Sequence, residues 1–220
     1  MVELSPSILS ANFSNVIGDI QKIKSKNLKM LHLDVMDGIF VNNISFGFKM
    51  IEDLRKNCDY FFDTHLMIHE PLRYIERFKE AGSDLITIHV ESTKEVSKTI
   101  DAINSLNIKS GITLRPSTNL NEVYKYLDKV DLVLVMSVEP GFGGQGFIEE
   151  SHDRIKKLRK YIDENNLKTK IEVDGGIKSH NVSKIVEDGA DIIVSGSDIF
   201  SKDDINKQIE TYYDIFKNYK

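Results

Sequence analysis

The sequence predicts a single α/β domain folded as a closed (β/α)8 barrel, the TIM-barrel architecture, over residues 1–220. Three observations predict it. Eight short apolar runs recur along the chain, at 4–9, 30–35, 61–67, 85–90, 109–114, 132–138, 170–173 and 192–195. Charged stretches of helical period separate them, and strands alternating with helices build a parallel sheet with right-handed crossovers. Eight repeats of that unit are the number that closes a barrel. The rival, an open doubly wound sheet, usually carries a Gly-x-Gly-x-x-Gly turn after its first strand, and Ser10-Ala11-Asn12 stands there instead.

Taken in order, the first run is Leu4-Ser5-Pro6-Ser7-Ile8-Leu9. Val16, Ile20 and Ile23 then line one face of a first helix. In the second run, Leu31, Leu33 and Val35 supply the apolar alternate positions, so His32, Asp34 and Met36 project together from the opposite face before Gly38 turns the chain. Cys58 is expected as a small buried hydrophobe on the second helix. The third run, Phe61-Phe62-Asp63-Thr64-His65-Leu66-Met67, repeats the theme with His65 and Met67 two apart. Its helix carries Leu72, Ile75 and Phe78 on one face, opened by Pro71 and closed at Gly82. The sixth run leads into Pro140-Gly141-Phe142-Gly143-Gly144-Gln145-Gly146. The seventh ends Val173-Asp174-Gly175-Gly176, and its helix has Val182, Ile185 and Val186 on one face, Ser179 as the expected N-cap and Gly189 past the end. The eighth runs into Ser195-Gly196-Ser197. A weak internal echo, Glu80-Ala81-Gly82-Ser83-Asp84-Leu85-Ile86 against Glu187-Asp188-Gly189-Ala190-Asp191-Ile192-Ile193, suits duplication of a half-barrel.

Composition narrows the class. A hydrophobic fraction of 40% and a charged fraction of 29% describe an ordinary globular chain. A net charge of −5 gives no attraction for nucleic acid or an anionic membrane surface, and no apolar run approaches the length of a transmembrane helix. The single cysteine allows no internal disulfide, and with a first strand beginning at once no signal or transit peptide is expected; the expected location is the cytoplasm.

In such a barrel the chemistry sits at the C-terminal ends of the strands. His32, Asp34, His65 and Asp174 fall there, and four N/O ligands from three strands suit one divalent metal ion, Zn, Fe, Mn or Co. The glycines after the seventh and eighth runs lie where barrels bind phosphate with backbone N–H groups and a helix N-terminus. The glycine-rich 140–146 segment is suited to close approach to an oxyanion or to movement as a lid. Two Asp on opposite sides of a metal suggest removal of a proton from one face of a carbon and its return on the other, with the cation stabilising an ene-diolate. Met36, Met67 and Met136 at the same mouth would cover a flat intermediate and exclude water.

These motifs resemble the ribulose-phosphate 3-epimerase family of the pentose phosphate pathway over essentially the full length. The matching pieces are Ser5-Pro6-Ser7-Ile8-Leu9-Ser10-Ala11-Asn12-Phe13, the 32–38 segment, His65-Leu66-Met67, Val138-Glu139-Pro140-Gly141-Phe142-Gly143-Gly144-Gln145, Val173-Asp174-Gly175-Gly176 and Val194-Ser195-Gly196-Ser197. The resemblance implies that His32, Asp34, His65 and Asp174 are the metal ligands and that Asp34 and Asp174 are the acid/base pair acting on the two faces of C3. It implies that Ser7 and His65 touch the sugar, and that Met36, Met67 and Met136 form a thioether cap. Gly143, Gly144, Gly176, Gly196 and Ser197 match a phosphate cradle with Gly175 beside it, and residues 141–145, with Gly141 and Phe142, match a lid. The expected reaction interconverts D-ribulose 5-phosphate and D-xylulose 5-phosphate, and the alternative is the same chemistry on a six-carbon ketose phosphate such as allulose 6-phosphate. Related barrel decarboxylases use an Asp-x-Lys-x-x-Asp signature, whose lysine Asp34-Val35-Met36-Asp37 lacks. The family also implies a homo-oligomer, a dimer or larger. One departure is visible: Asn42-Asn43 follows Phe40-Val41 where Pro-Asn is expected, so that loop loses a restriction on φ.

Overall fold

The computed structural model describes residues 2–219. Eight parallel strands form one sheet: β1 (Glu3–Pro6), β2 (Met30–Met36), β3 (Phe61–Met67), β4 (Leu85–His89), β5 (Lys109–Leu114), β6 (Leu132–Met136), β7 (Lys170–Asp174) and β8 (Ile192–Ser195). Each pairs with its sequence neighbour, and β1 pairs with β8. The seam between β1 and β2 is held by a parallel bridge, Ser7 to His32, so the barrel is nearly closed rather than uniformly laddered.

Helices α1 (Val16–Gln21), α2 (Phe48–Arg55), α3 (Ile75–Ala81), α4 (Val96–Ser105), α5 (Asn121–Tyr124), α6 (Ser151–Glu164), α7 (Val182–Glu187), α8 (Ser197–Phe200) and α9 (Ile205–Phe216) lie between and after the strands. Their apolar faces meet the outward strand residues in one large core that includes Leu31, Leu33, Phe62, Phe78, Ile155 and Ile185. A smaller cluster, with Met30, Leu85, Leu132, Leu134, Met136 and Ile192, is formed by the alternate residues and fills the barrel interior.

The first run splits. β1 stops at Pro6, and Ile8–Ser10 forms a 3-10 turn whose start is capped by Ser7 Oγ accepting the Leu9 N–H. Helix α1 ends at Gln21, so Ile23 is buried beyond it rather than on it. Pro71 opens a 3-10 turn that leads into α3, and Gly82 ends α3 at φ +113°. Ser179 is not the N-cap of α7. Asn181 holds that position, its Oδ1 accepting the Lys178 N–H, while the Ser179 N–H goes to Asp198 Oδ2. Cys58 lies past the end of α2 and is half-buried, its Sγ 3.3 Å from the Leu54 carbonyl.

The echoed segments build the same device twice. Gly82 and Gly189 both have positive φ, at +113° and +115°, and each is overlain by an arginine stem, Arg55 from α2 or Arg159 from α6. Arg55 then donates to Asp84 and Arg159 to Asp191. Each aspartate also accepts a backbone N–H from the preceding strand, Phe62 for Asp84 at 2.7 Å and Ile171 for Asp191 at 2.8 Å. The device fixes where β4 and β8 begin, and so how far along the barrel their C-terminal ends reach.

Candidate active site

The register sets the site. In β2 and β3, His32 lies opposite Asp63, Asp34 opposite His65 and Met36 opposite Met67. Alternation then sends all six inward, because successive strand residues point to opposite faces. Met136 of β6 is paired with Asp174 of β7, which brings that carboxyl to the same level. Ligand atoms of His32, Asp34, His65 and Asp174 all lie within 4.8 Å of one another. His32 Nε2 stands 3.3 Å, and His65 Nδ1 3.1 Å, from Asp34 Oδ1. Ser7 Oγ donates to the other oxygen, Asp34 Oδ2, at 2.5 Å.

Both histidines are fully buried. Burial works against the charge of Asp34, but the His32 and His65 rings beside it outweigh that and hold its carboxyl well below the usual range. Asp174 goes the other way. Burial, reinforced by the Asp34 carboxylate, pushes it up to about 7. Two carboxyls in one cleft therefore favour opposite protonation states, the pattern that separates a base from an acid. Burial also opposes charge on His32, yet Asp63 and Asp34 raise its pKa well above the ordinary value.

Above this cluster opens a cleft at the C-terminal ends of the strands. Ser7, Asp34, Met36, Met67, Met136, Gly141, Phe142, Gly143, Gly144, Asp174, Gly175, Gly176, Gly196 and Ser197 all line it, which gathers the expected sugar, cap, lid and phosphate residues. His32 and His65 sit beneath it. The segment expected to act as a lid is pinned at its ends: Gln145 Nε2 donates to the Glu139 and Phe142 carbonyls, while Asn43 Nδ2 donates to the Gly141 carbonyl at 2.7 Å. Asn43, the residue expected at that place, thus ties the loop after β2 to the 141–145 segment, and the departure itself is confined to Asn42. Gly176 has φ +65°, and a Cβ there would lie 2.3 Å from the Phe147 backbone nitrogen, so only glycine lets these loops meet.

Sequence reasoning missed several residues. Ser10 lines the cleft between two of the glycines; its Oγ would lie 2.6 Å from a Cβ on Gly196 and 3.5 Å from one on Gly143. The 3-10 turn puts it there, and no period in the sequence signals such a turn. Asp63 and Glu172 form a second layer under the site, within 4.8 Å of His32 and each other. Asp63 was legible, because it alternates with His65. His32 Nδ1 donates to Asp63 Oδ2 at 2.6 Å, and burial, with the neighbouring Asp63 carboxylate, pushes the Glu172 carboxyl well up. His89 lies 2.8 Å from His65 Nε2, at the end of a strand whose single histidine drew no attention.

The donor set fits a divalent ion. His32 Nε2 is buried and finds no hydrogen-bond partner among the described residues, a costly condition that a ligated cation would relieve. Two imidazoles and two carboxylates suit the transition metals.

A model of the "Ribulose-phosphate 3 epimerase family" matches residues 3–200. The ribulose-phosphate 3-epimerase of Aquifex aeolicus is 41% identical over 205 residues, covering 93% of this chain and 92% of that protein. That of Bacillus subtilis is 39% identical, covering 95% and 97%. The chloroplastic ribulose-5-phosphate-3-epimerase of Arabidopsis thaliana is 43% identical over 94% of this chain and 74% of its own. Among solved structures, 3-hexulose-6-phosphate synthase of Salmonella typhimurium superposes with a TM-score of 0.76 at 16% identity, covering all of both chains. That likeness shows the barrel fold alone.

Proposed function

The chain belongs to the ribulose-phosphate 3-epimerase family, whose named members are isomerases, and from that premise we propose that it interconverts D-ribulose 5-phosphate and D-xylulose 5-phosphate. The observation that carries the reading is the pair Asp34 and Asp174, held in one cleft with opposed protonation preferences. His32, Asp34, His65 and Asp174 would hold one divalent ion, Zn, Fe, Mn or Co. When bound, that ion supplies positive charge against the substrate oxygens and lowers the cost of an ene-diolate.

Inversion at C3 needs a proton to leave one face and another to arrive on the opposite face. Asp34 takes the C3 proton while the electron pair moves to the C2 carbonyl, and Asp174 delivers its proton to the other face; the roles exchange in the reverse direction. Ser7, at 2.5 Å from Asp34 Oδ2, orients that carboxylate beside the sugar. Met36, Met67 and Met136 cover the planar intermediate and keep water off it. Backbone N–H groups of Gly143, Gly144, Gly176, Gly196 and Ser197 cradle the phosphate, with residues 141–145 as lid. A six-carbon ketose phosphate is not favoured, since the relatives at about 40% identity carry the pentose name.

The chain contains no helix long and apolar enough to cross a membrane among its described residues. With its one free thiol it suits the cytoplasm. Exposed Phe13, Ile39 and Ile44, outside the cleft, support assembly into a homo-oligomer.

The test is an epimerase assay on both ketose phosphates with metal analysis of the same sample. Activity on the pentose phosphate, lost on chelation and restored by added Zn, Mn, Fe or Co, is expected. Full activity in a sample shown to be metal-free would overturn the metal assignment. Product formed in D₂O should carry deuterium at C3. Asp34→Asn and Asp174→Asn should each lose at least about a thousandfold in kcat, the scale of an acid/base group with a metal contribution. Near-native turnover in either variant with its metal retained removes that residue from the pair.

A further inference from the structure

His65 has two ring nitrogens that face different neighbours. Nδ1 lies 3.1 Å from Asp34 Oδ1, and Nε2 lies 2.8 Å from His89 Nε2. The two rings stack, with centroids 5.0 Å apart and planes at 27°. His89 is fully buried, and its own Nδ1 lies 3.4 Å from Glu91 Oε2. Glu91 also accepts the Arg115 backbone N–H at 2.8 Å and the Thr118 hydroxyl. Phe40 covers the His89 ring at 4.7 Å, and the Arg115 guanidinium covers Phe40 at 4.4 Å. A row of polar groups thus continues from the proposed metal cluster along the inner face of the barrel to His89, with the Glu91 carboxylate 3.4 Å beyond its Nδ1. Neither His89 nor Glu91 lines the cleft.

Proton positions along this row are not independent. With a cation bound at the cluster, His65 Nδ1 must be bare and its ring hydrogen lies on Nε2; His89 Nδ1, which has no hydrogen-bond partner among the described residues, lies 3.4 Å from the Glu91 carboxylate, a charge contact that favours a hydrogen on that nitrogen. In a neutral ring His89 Nε2 is then an acceptor, and His65 Nε2 must donate to it. His65 Nδ1 is left bare, aimed at the cluster. Reversing the row would place a bare nitrogen against the Glu91 carboxylate and a proton on His65 Nδ1, where a cation must bind. His32 is arranged the same way through opposite atoms: Nδ1 donates to Asp63 at 2.6 Å and Nε2 faces the cluster.

We propose that His89 and Glu91 are positioning residues for His65, fixing its tautomer so that Nδ1 is the metal-binding nitrogen. The inference rests on the reading that the cluster holds a divalent ion. Outer partners of this kind orient a ligating imidazole and raise its basicity.

The test uses full-length protein stripped of metal and titrated with cobalt(II), reading both the dissociation constant and the ligand-field absorption. His89→Leu removes the acceptor and keeps bulk, and its cobalt dissociation constant should rise about 10- to 100-fold with an altered spectrum. His89→Gln returns an acceptor oxygen and should restore both. Wild-type affinity and spectrum in His89→Leu overturn the inference, as does a Gln variant that behaves like Leu. Should the Leu variant fail to fold, imidazole ¹⁵N shifts of zinc-loaded wild-type protein decide alone. Hydrogens on His65 Nε2 and His89 Nδ1 are expected, and a hydrogen on His89 Nε2 overturns the proposal. A wild-type chain that takes up neither ion is a different failure, one that removes the metal reading and this inference with it.

Discussion

Asp34 and Asp174 are the same residue type in one cleft, yet their surroundings drive them in opposite directions. Two imidazoles and the Ser7 hydroxyl face Asp34, whereas Asp174 meets burial and the Asp34 charge without a comparable donor. The metal-free site therefore stores protons: Asp174 keeps one up to about pH 7, and His32 is pushed toward the charged form. A ligating nitrogen must give its proton up, so a charged His32 must shed the one on Nε2, while a carboxyl can bind through one oxygen and keep its proton on the other. Divalent-ion uptake should accordingly release at least one proton below pH 7, so affinity falls as the solution is acidified. The expected slope is about tenfold per pH unit for each proton released. Zinc competition titrations across this range, with proton release read from calorimetry in buffers of different ionisation enthalpy, check it; affinity that does not change with pH would show that His32 is not a ligand.

Two strand ends, those of β4 and β8, are placed by a device at the opposite end of the strand. The Gly82–Arg55–Asp84 and Gly189–Arg159–Asp191 constructions anchor β4 and β8 before they run to the cleft. Gly189 sits at φ +115°, and a Cβ there would lie 2.6 Å from Arg159 Cγ. Gly189→Ala should destabilise the fold by more than about 1 kcal/mol through strain and the displaced arginine. Because the residue is not in the cleft, kcat of the folded fraction should hold; chemical denaturation alongside turnover separates the two, and unchanged stability would show that the arginine stem yields freely. The loops after β7 and β8 carry the phosphate assignment. Gly196→Val would press on Ser10 Oγ, 2.6 Å from the added Cβ, and fill the proposed cradle, so KM should rise steeply. An unchanged KM places the phosphate elsewhere.

Across the whole molecule, the barrel interior changes character along its axis. An apolar floor of Met30, Leu85, Leu132 and Ile192 gives way to a buried polar layer with His32, Asp63, Thr87 and Glu172, and then to the cleft. Glu172 Oε1 and Oε2, Asp63 Oδ1, Thr87 Oγ1 and His32 Nε2 have no hydrogen-bond partner among the described residues. Polar atoms left so are costly, and the fold tolerates them where an ion can repay part of the cost. Ligand binding stabilises a fold by mass action, about 2.7 kcal/mol at a hundredfold excess over Kd. For a chain of this size that corresponds to a Tm increase of about 5–10 °C. Scanning calorimetry of the stripped protein with and without zinc measures it, and a Tm indifferent to zinc would show that the cluster holds no ion in solution.

The sequence by itself determined the barrel and most of the cleft. Strand alternation is a local property: two residues per repeat fix which side chains share a face, so His32, Asp34 and Met36, and likewise His65 and Met67, were legible as inward pairs. Glycine-rich strand ends were legible for the same reason, since a backbone that must turn or approach closely writes itself in residue type. Only tertiary structure decided the rest. The 3-10 turn that aims Ser10, the cap at Asn181 instead of Ser179, and the position of Cys58 beyond its helix depend on hydrogen bonds chosen among several available partners. The polarity of the His32 and His65 rings, the raised carboxyl of Asp174 and the contact of His65 with His89 arise from groups on different strands, brought within 4.8 Å or less of one another by strand pairing and barrel closure. Those contacts have no period along the chain, because electrostatic coupling depends on distance in space, and that distance exists only once the sheet has curled onto itself.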